Sequence, residues 1–342
     1  MKELKIKKKK NFIRKLFVKL CRIFGYEIID QSNFEISTTN KSLNSNLSIL
    51  GKKSINIPLG EVQITRSVKS LDIIIRTCME VNMLQQNKKR IFEKTKAEYT
   101  LRTINSLINS YNRLDQKRSI NIKFKVIDHA SKKENLDKIK NLFMKKGIDF
   151  QLINLDINKL KRDINEINEK NEKVAFNQIS NMCNIYQSLL EAKNADDLVY
   201  FIEDDYIHSQ KSLGEMIYAY ERISSQIDND LFLCPADYPY LYTKIDDTKI
   251  ILGNKYHWRK IDQTLCSFFT SKKMVIKYWE NLTKMCKFEH QPFEKPLHLI
   301  YEKELCLSPI PSLAIHCTNI NSVYGVSPSL DIKKIWDESA LN

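Results

Sequence analysis

An α/β fold with a mainly parallel sheet flanked by helices is what this sequence predicts, and three observations predict it. Short runs apolar on both faces recur between residues 71 and 205, and amphipathic helical stretches separate them. The 342-residue chain is also 42% hydrophobic and 28% charged, which suits a substantial buried core. Only 7 Gly and 8 Pro occur, excluding collagen-like, linker-like and Pro-rich architectures.

The chain begins in a different character. Residues 1–22 hold ten Lys and Arg against Glu3 alone, so +9 of the formal +14 sits there and the other 320 residues carry +5. Basic character confined to a tail argues against a nucleic-acid-binding core, and no nucleic-acid partner is expected. Phe12, Ile13, Leu16, Phe17, Leu20, Cys21 and Phe24 recur at three- and four-residue steps with Lys and Arg between them. This is the pattern of a basic amphipathic helix within residues 1–25. Such a helix suits the headgroup region of an anionic membrane, or serves as a solvated basic arm, or packs on its own body. No run of about 18 apolar residues and no secretory cleavage pattern is present, so no transmembrane helix or export is expected. The expected location is cytoplasmic, with peripheral attachment to the inner membrane face as an option. Residues 26–66, rich in Ser, Asn and Thr, read as a polar linker, and the body as 67–342.

Within the body, Leu71-Asp72-Ile73-Ile74-Ile75 reads as the first strand. Residues 97–113 follow as a helix with Leu101, Ile104, Leu107, Ile108 and Tyr111 on one face. Residues 122–127 are the second strand, 133–146 a helix closed by Gly147, and 150–153 the third strand. The polar stretch 156–173 reads as a loop with a helical turn. Ala175, Ile179, Met182, Cys183, Tyr186, Leu189 and Leu190 mark a long helix, and residues 198–202 the fourth strand. The eight cysteines form no CxxC pair, so reduced, mostly buried thiols are expected.

Ligands of open α/β sheets bind at the carboxyl ends of strands. Those ends read Arg76-Thr77, Asp128-His129-Ala130-Ser131 and Glu203-Asp204-Asp205, and neither GxGxxG nor GxxxxGK[ST] occurs. Three consecutive carboxylates after an apolar run repel one another unless a cation neutralises them, and a divalent ion with oxygen ligands does this while bridging to phosphate. A solvated acidic turn, or an N-cap cluster for the helix near Ser212, is the competing reading.

Residues Ala175-Phe176-Asn177 leading a helix, followed by a strand ending in Glu203-Asp204-Asp205, resemble the core of GT-A fold glycosyltransferases, family 2 in particular. There an Ala-x-Asn helix precedes a strand ending in an Asp-x-Asp metal motif. Ile73 to Thr77 is similar to that family's first strand and Val126 to Ser131 to its second. The resemblance implies a GT-A-like, Rossmann-related fold, with residues 67–205 binding a nucleotide-diphosphate sugar, UDP-linked by preference, and 206–342 forming the acceptor half. It implies Asp128 at the base, Arg76, Thr77, Asn177 and Asp204 on the donor, and Mn²⁺ or Mg²⁺ on Asp205 helped by Glu203 or Asp204. Glu203 stands where the motif has Asp, which leaves open which carboxylate holds ribose and which the metal. Hexosyl transfer with inversion, in the synthesis of a cell-surface polysaccharide on a glycan or lipid-linked acceptor, is the corresponding expectation.

The second half contributes further candidates. Leu231 to Tyr240 reads as a strand running into an aromatic loop, and His257-Trp258-Arg259 as a donor or acceptor patch of ring and cation. A half-buried Trp258 with a snorkelling Arg259 is the alternative. Direct displacement needs a carboxylate to take the acceptor proton. Glu294, between Pro292 and Pro296, is the candidate and Asp237 the runner-up. Pro311 to His316 resembles the late histidine that several GT-A enzymes add to the metal, a buried core histidine being the other reading. A nucleotidyltransferase with a related fold, which would want a Gly-rich loop after the first strand, and a non-catalytic membrane or polyanion binder remain as alternatives.

Overall fold

The computed structural model describes residues 12–26, 28, 53–56, 60–80, 90–115, 119–242, 245, 247–317 and 330–341. Helix α1 (Phe12–Ile23) falls within the predicted basic helix, whose residues 1–11 lie outside the described residues. Strands β1 (Lys53–Asn56) and β2 (Gly60–Gln63) pair as an antiparallel hairpin inside the predicted linker. The packed body begins slightly before residue 67. Ile64 is buried, and Arg66 pairs with Asp197 while its backbone N–H donates to Ser225 Oγ.

The first half alternates as predicted: β3 (Ser70–Thr77), α2 (Lys96–Tyr111), β4 (Asn121–Asp128), α3 (Lys133–Lys145), β5 (Phe150–Asn154), the short α4 (Ile157–Leu160), α5 (Phe176–Ala192) and β6 (Leu198–Glu203). Gly147 follows α3 at φ +62°, a conformation that costs glycine nothing. Then come β7 (Tyr206–His208), α6 (Ser212–Ile227), β8 (Phe232–Leu233), β9 (Ile250–Leu252), β10 (His257–Lys260), β11 (Phe268–Ser271), α7 (Lys272–Lys277), α8 (Trp279–Lys287), α9 (Lys295–Tyr301), β12 (Cys306–Ile310), β13 (Ala314–His316) and α10 (Ile332–Glu338). Of the predicted closing segment 327–336, the helix is present and residues 327–329 lie outside the described residues.

The central sheet runs β5-β4-β3-β6-β11-β8-β12-β10-β9. Its first four strands are mutually parallel, and β11, β10 and β9 bring antiparallel pairings into the other half. Helices α2, α3 and α6 pack together on one face, and α5, α8 and α9 on the other. Covering both faces explains why β3 is buried at every position. The charges this burial traps are paired: Asp72 lies 3.1 Å from Lys125, which lies 3.2 Å from Glu191.

At the far edge, β9 and β10 form a hairpin whose Trp258 is fully buried and donates Nε1 to Glu215 (3.3 Å). Gly253 makes room for that ring: a Cβ there would stand 2.3 Å from Trp258 Nε1 and 3.0 Å from Ala219 Cβ. Gly253→Ala is expected to destabilise the protein by about 1–3 kcal/mol through overpacking. Urea denaturation of the variant checks this, and an unchanged midpoint would show that the hairpin is not seated on Trp258.

Candidate active site

Winding proceeds from β3 outward to β4 and β5, then returns to place β6 on the other side of β3. A crevice opens outside the carboxyl ends of strands at such a reversal. Register puts Arg76 opposite Glu203, and the two side chains pair at 3.1 Å. Arg76 is buried and also donates to Asn181 Oδ1 (3.1 Å) on α5, while the Glu203 N–H donates to Ser267 Oγ (3.0 Å).

Asp204 is anchored elsewhere. It accepts from the Cys78 N–H (3.1 Å) and Thr100 Oγ1 (3.2 Å), with Lys96 Nζ at 3.6 Å. All three contacts fall on Oδ2, which ties the end of β6 to Cys78 and to the first turns of α2.

Asp205 meets the end of the chain. Strand β13 pairs with β7 so that His316 lies opposite Tyr206, and the two rings stack at 4.5 Å. This sets His316 Nε2 3.3 Å from Asp205 Oδ1, and the Cys317 N–H donates to the Asp205 carbonyl (2.8 Å). Arg90, its guanidinium 4.7 Å from the Tyr99 ring centroid, stands 3.9 Å from the same carboxylate. Burial pushes the Asp205 carboxyl up, but His316, Arg90 and Lys96 outweigh it and hold it at about 2. Burial likewise pulls His316 down, and Asp205 with Glu203 raises it above the ordinary imidazole value.

Glu294 immediately precedes α9 and belongs to the same cluster. Burial, then the charge of Glu203, pushes its carboxyl up to about 7 against the opposing pull of Arg76 and His316. The Cys266 thiol points to it at 3.9 Å. A carboxyl that titrates near neutrality at a crevice is suited to taking a proton.

The expected metal trio is corrected. Among the described residues no three His, Cys, Asp or Glu side chains converge on an ion position, because Glu203 is turned onto Arg76. Asp205 and His316 remain, and their 3.3 Å separation is close to the ~3 Å between neighbouring donors on a divalent ion with bonds near ~2.1 Å. Among the described residues, the buried His316 Nδ1 has no hydrogen-bond partner. One hard oxygen and one imidazole fit Mn²⁺ or Mg²⁺ held jointly with water and phosphate oxygens.

A second group gathers where β3 and β4 end beside α5. Asp128 accepts from Thr77 Oγ1 (2.7 Å), Ser131 Oγ (2.6 Å) and the Ser131 N–H (3.1 Å). His129 Nδ1 lies 2.7 Å from Ser180 Oγ, and the exposed Phe176 ring meets the imidazole at 6.4 Å. Asn177 shares the first turn of α5 with Phe176, whose helix N-terminus contributes positive potential.

The patch expected at His257, Trp258 and Arg259 does not form. Four strand spacings, roughly 19 Å, separate β10 from β6. His257 is exposed there, Trp258 fills the core, and Arg259 pairs with Asp237 through Nε (3.0 Å) and Nη2 (2.9 Å). Asp237 also accepts from Tyr242 (2.5 Å) and Ser308 (3.2 Å). Asp237 is thus buried and bonded to side chains of β10, β12 and the following loop, apart from the acidic cluster in which Glu294 stands. Sequence reasoning missed Arg90 and Lys96. The basic run Lys88-Lys89-Arg90 before a helix was the available signal.

No family model matches this chain, and no curated protein does. Solved structures similar in shape include the galactosyltransferase LgtC in complex with donor and acceptor sugar analogs, at 12% identity and TM-score 0.35 over 66% of this chain and 70% of that one. The bifunctional glycosyltransferase WbbM in its apo form gives 13% and 0.34 over 67% of this chain and 36% of that one. Mouse xyloside xylosyltransferase 1, also apo, gives 7% and 0.37 over 68% and 76%.

Because Asp204 satisfies three donors, Asp204→Ala is expected to cost about 2–4 kcal/mol of stability. Chemical denaturation reads this directly, and a variant as stable as the parent would overturn that anchoring role.

Proposed function

We propose that this chain is a GT-A-type glycosyltransferase that moves a hexosyl group from a nucleotide-diphosphate sugar, a UDP-sugar by preference, to a glycan or lipid-linked acceptor in cell-surface polysaccharide synthesis. One observation carries the reading: Arg76, Glu203, Asp205, Glu294 and His316 gather beside the carboxyl end of β6, where the sheet reverses its winding. The site's donor end is the Thr77, Asp128, Asn177 and Phe176 group, which offers a flat ring, hydroxyls and a carboxylate to a nucleoside. Its acid end receives the diphosphate and the acceptor.

In this reading Asp205 and His316 would hold a divalent cation, whose chemistry is to neutralise charge on the departing diphosphate. Arg90 and Lys96 add fixed positive charge beside it. Glu294 takes the proton of the acceptor hydroxyl as that oxygen attacks the anomeric carbon from the face opposite the diphosphate, with inversion. Burial, with the charge of Glu203 beside it, keeps the Glu294 carboxyl basic enough to do so, and Arg76 pairs with Glu203.

Three measurements test this. In thermal shift, one nucleoside diphosphate with Mn²⁺ should stabilise the parent, by about 2.7 kcal/mol at a hundredfold excess over Kd, and should do nothing for Asp205→Ala. Absence of metal-dependent stabilisation by every diphosphate would sink the transferase reading. Glu294→Gln should reduce turnover by about 10²–10⁴-fold while leaving diphosphate affinity unchanged. Turnover of the parent should rise with pH through about 7, as Glu294 loses its proton and becomes the competent base. A product of retained anomeric configuration would remove Glu294 from the role of base.

A further inference from the structure

Nothing in this chemistry uses α1, yet α1 is the most apolar surface among the described residues. Phe12, Ile13, Leu16, Phe17, Leu20, Ile23 and Phe24 are each between 45% and 77% exposed, so the described body does not cover them. At about 100° per residue these seven side chains occupy an arc of about 140°. Lys15, Lys19 and Arg22 fall outside that arc and flank its Phe12 edge, about 20–80° beyond it.

We propose that α1 lies flat on an anionic lipid bilayer, with its aromatic and aliphatic face among the acyl chains and Lys15, Lys19 and Arg22 at the phosphates. Charge and shape both select this occupant. Residues 1–22 carry +9, with Lys2, Lys5 and Lys7 to Lys10 directly preceding the helix in sequence, which suits a negatively charged surface. A nucleic acid would take up the charge and leave seven large apolar side chains in water. A spanning orientation is excluded by length, because twelve residues reach about 18 Å and a bilayer core is about 30 Å thick. No described helix is long and apolar enough to cross a membrane. Two α1 helices packed face to face would bury the apolar arcs but bring like charges to one rim, a cost that anionic lipid removes.

This inference stands apart from the transferase reading. It is tested by co-sedimentation of the full chain with vesicles of phosphatidylcholine alone and of phosphatidylcholine mixed with phosphatidylglycerol. Binding is expected to the mixed vesicles only, and to weaken as salt screens the charges. The triple variant Lys15→Gln, Lys19→Gln, Arg22→Gln should bind about a hundredfold more weakly, at about fivefold per basic residue. The double variant Phe12→Ser, Phe17→Ser should lose binding even at low salt, and its melting temperature should stay unchanged because the helix does not support the body. Equal binding to both vesicle types, or full binding by the double variant, would overturn the proposal. So would a stable dimer of the parent that the double variant abolishes, since a second copy would then cover this face.

Discussion

Three consecutive carboxylates at the end of a buried strand set the terms for everything around them. Residues 203–205 could not stay together at the edge of a core without positive charge, and the fold supplies each with its own. Arg76 comes from the neighbouring strand, Lys96 from the start of α2, and His316 from the last strand, with Arg90 beside it. The acidic stretch is therefore the point at which separate parts of the chain are drawn together. Glu294 is a fourth carboxyl brought into the same field, and its reluctance to ionise follows first from its burial and then from the charge of Glu203.

The arrangement also divides labour within the stretch. Through Oδ2, Asp204 fastens the end of β6 to Cys78 and to α2. Glu203 and Asp205, on either side of it, are directed to different neighbours, one toward β3 and one toward β13. A small satellite core holds the second of these in place. Phe92 stacks on Trp336 at 4.1 Å, Arg102 lies 4.2 Å from the Trp336 ring centroid and donates to its carbonyl (2.6 Å), and Asn105 donates to the carbonyls of Ser339 and Ala340. The segment carrying Arg90 is thereby clamped between α2 and α10.

The first half was legible because its central strands β3 and β6 are buried on both faces and amphipathic helices alternate with the strands, so that periodicity separates them; the observed ends of β3, β4, β5 and β6 fall within two residues of the predicted ones. The acidic cluster and Glu294 could be read as chemistry, but their partners could not. Arg90 lies in a stretch without periodic pattern, and Glu203's choice of Arg76 depends on strand register. The second half resisted because its strands are as short as the two residues of β8 and pair with distant segments. His257-Trp258-Arg259 illustrates the failure. Ring and cation together resemble a ligand patch, whereas the alternation of a strand sends Trp258 into the core and an inward carboxylate, Asp237, claims Arg259.

The pairing of β7 with β13 has a consequence for the order of events during synthesis. His316 follows Asp205 by 111 residues, so at roughly 5–20 residues per second the ribosome needs on the order of 5–20 seconds to deliver the histidine after the aspartate. Throughout that interval the parallel half of the sheet can assemble while Asp205 waits for its partner. The β7–β13 pair, and with it the contact between Asp205 and His316, closes only when the last strand has left the translation machinery.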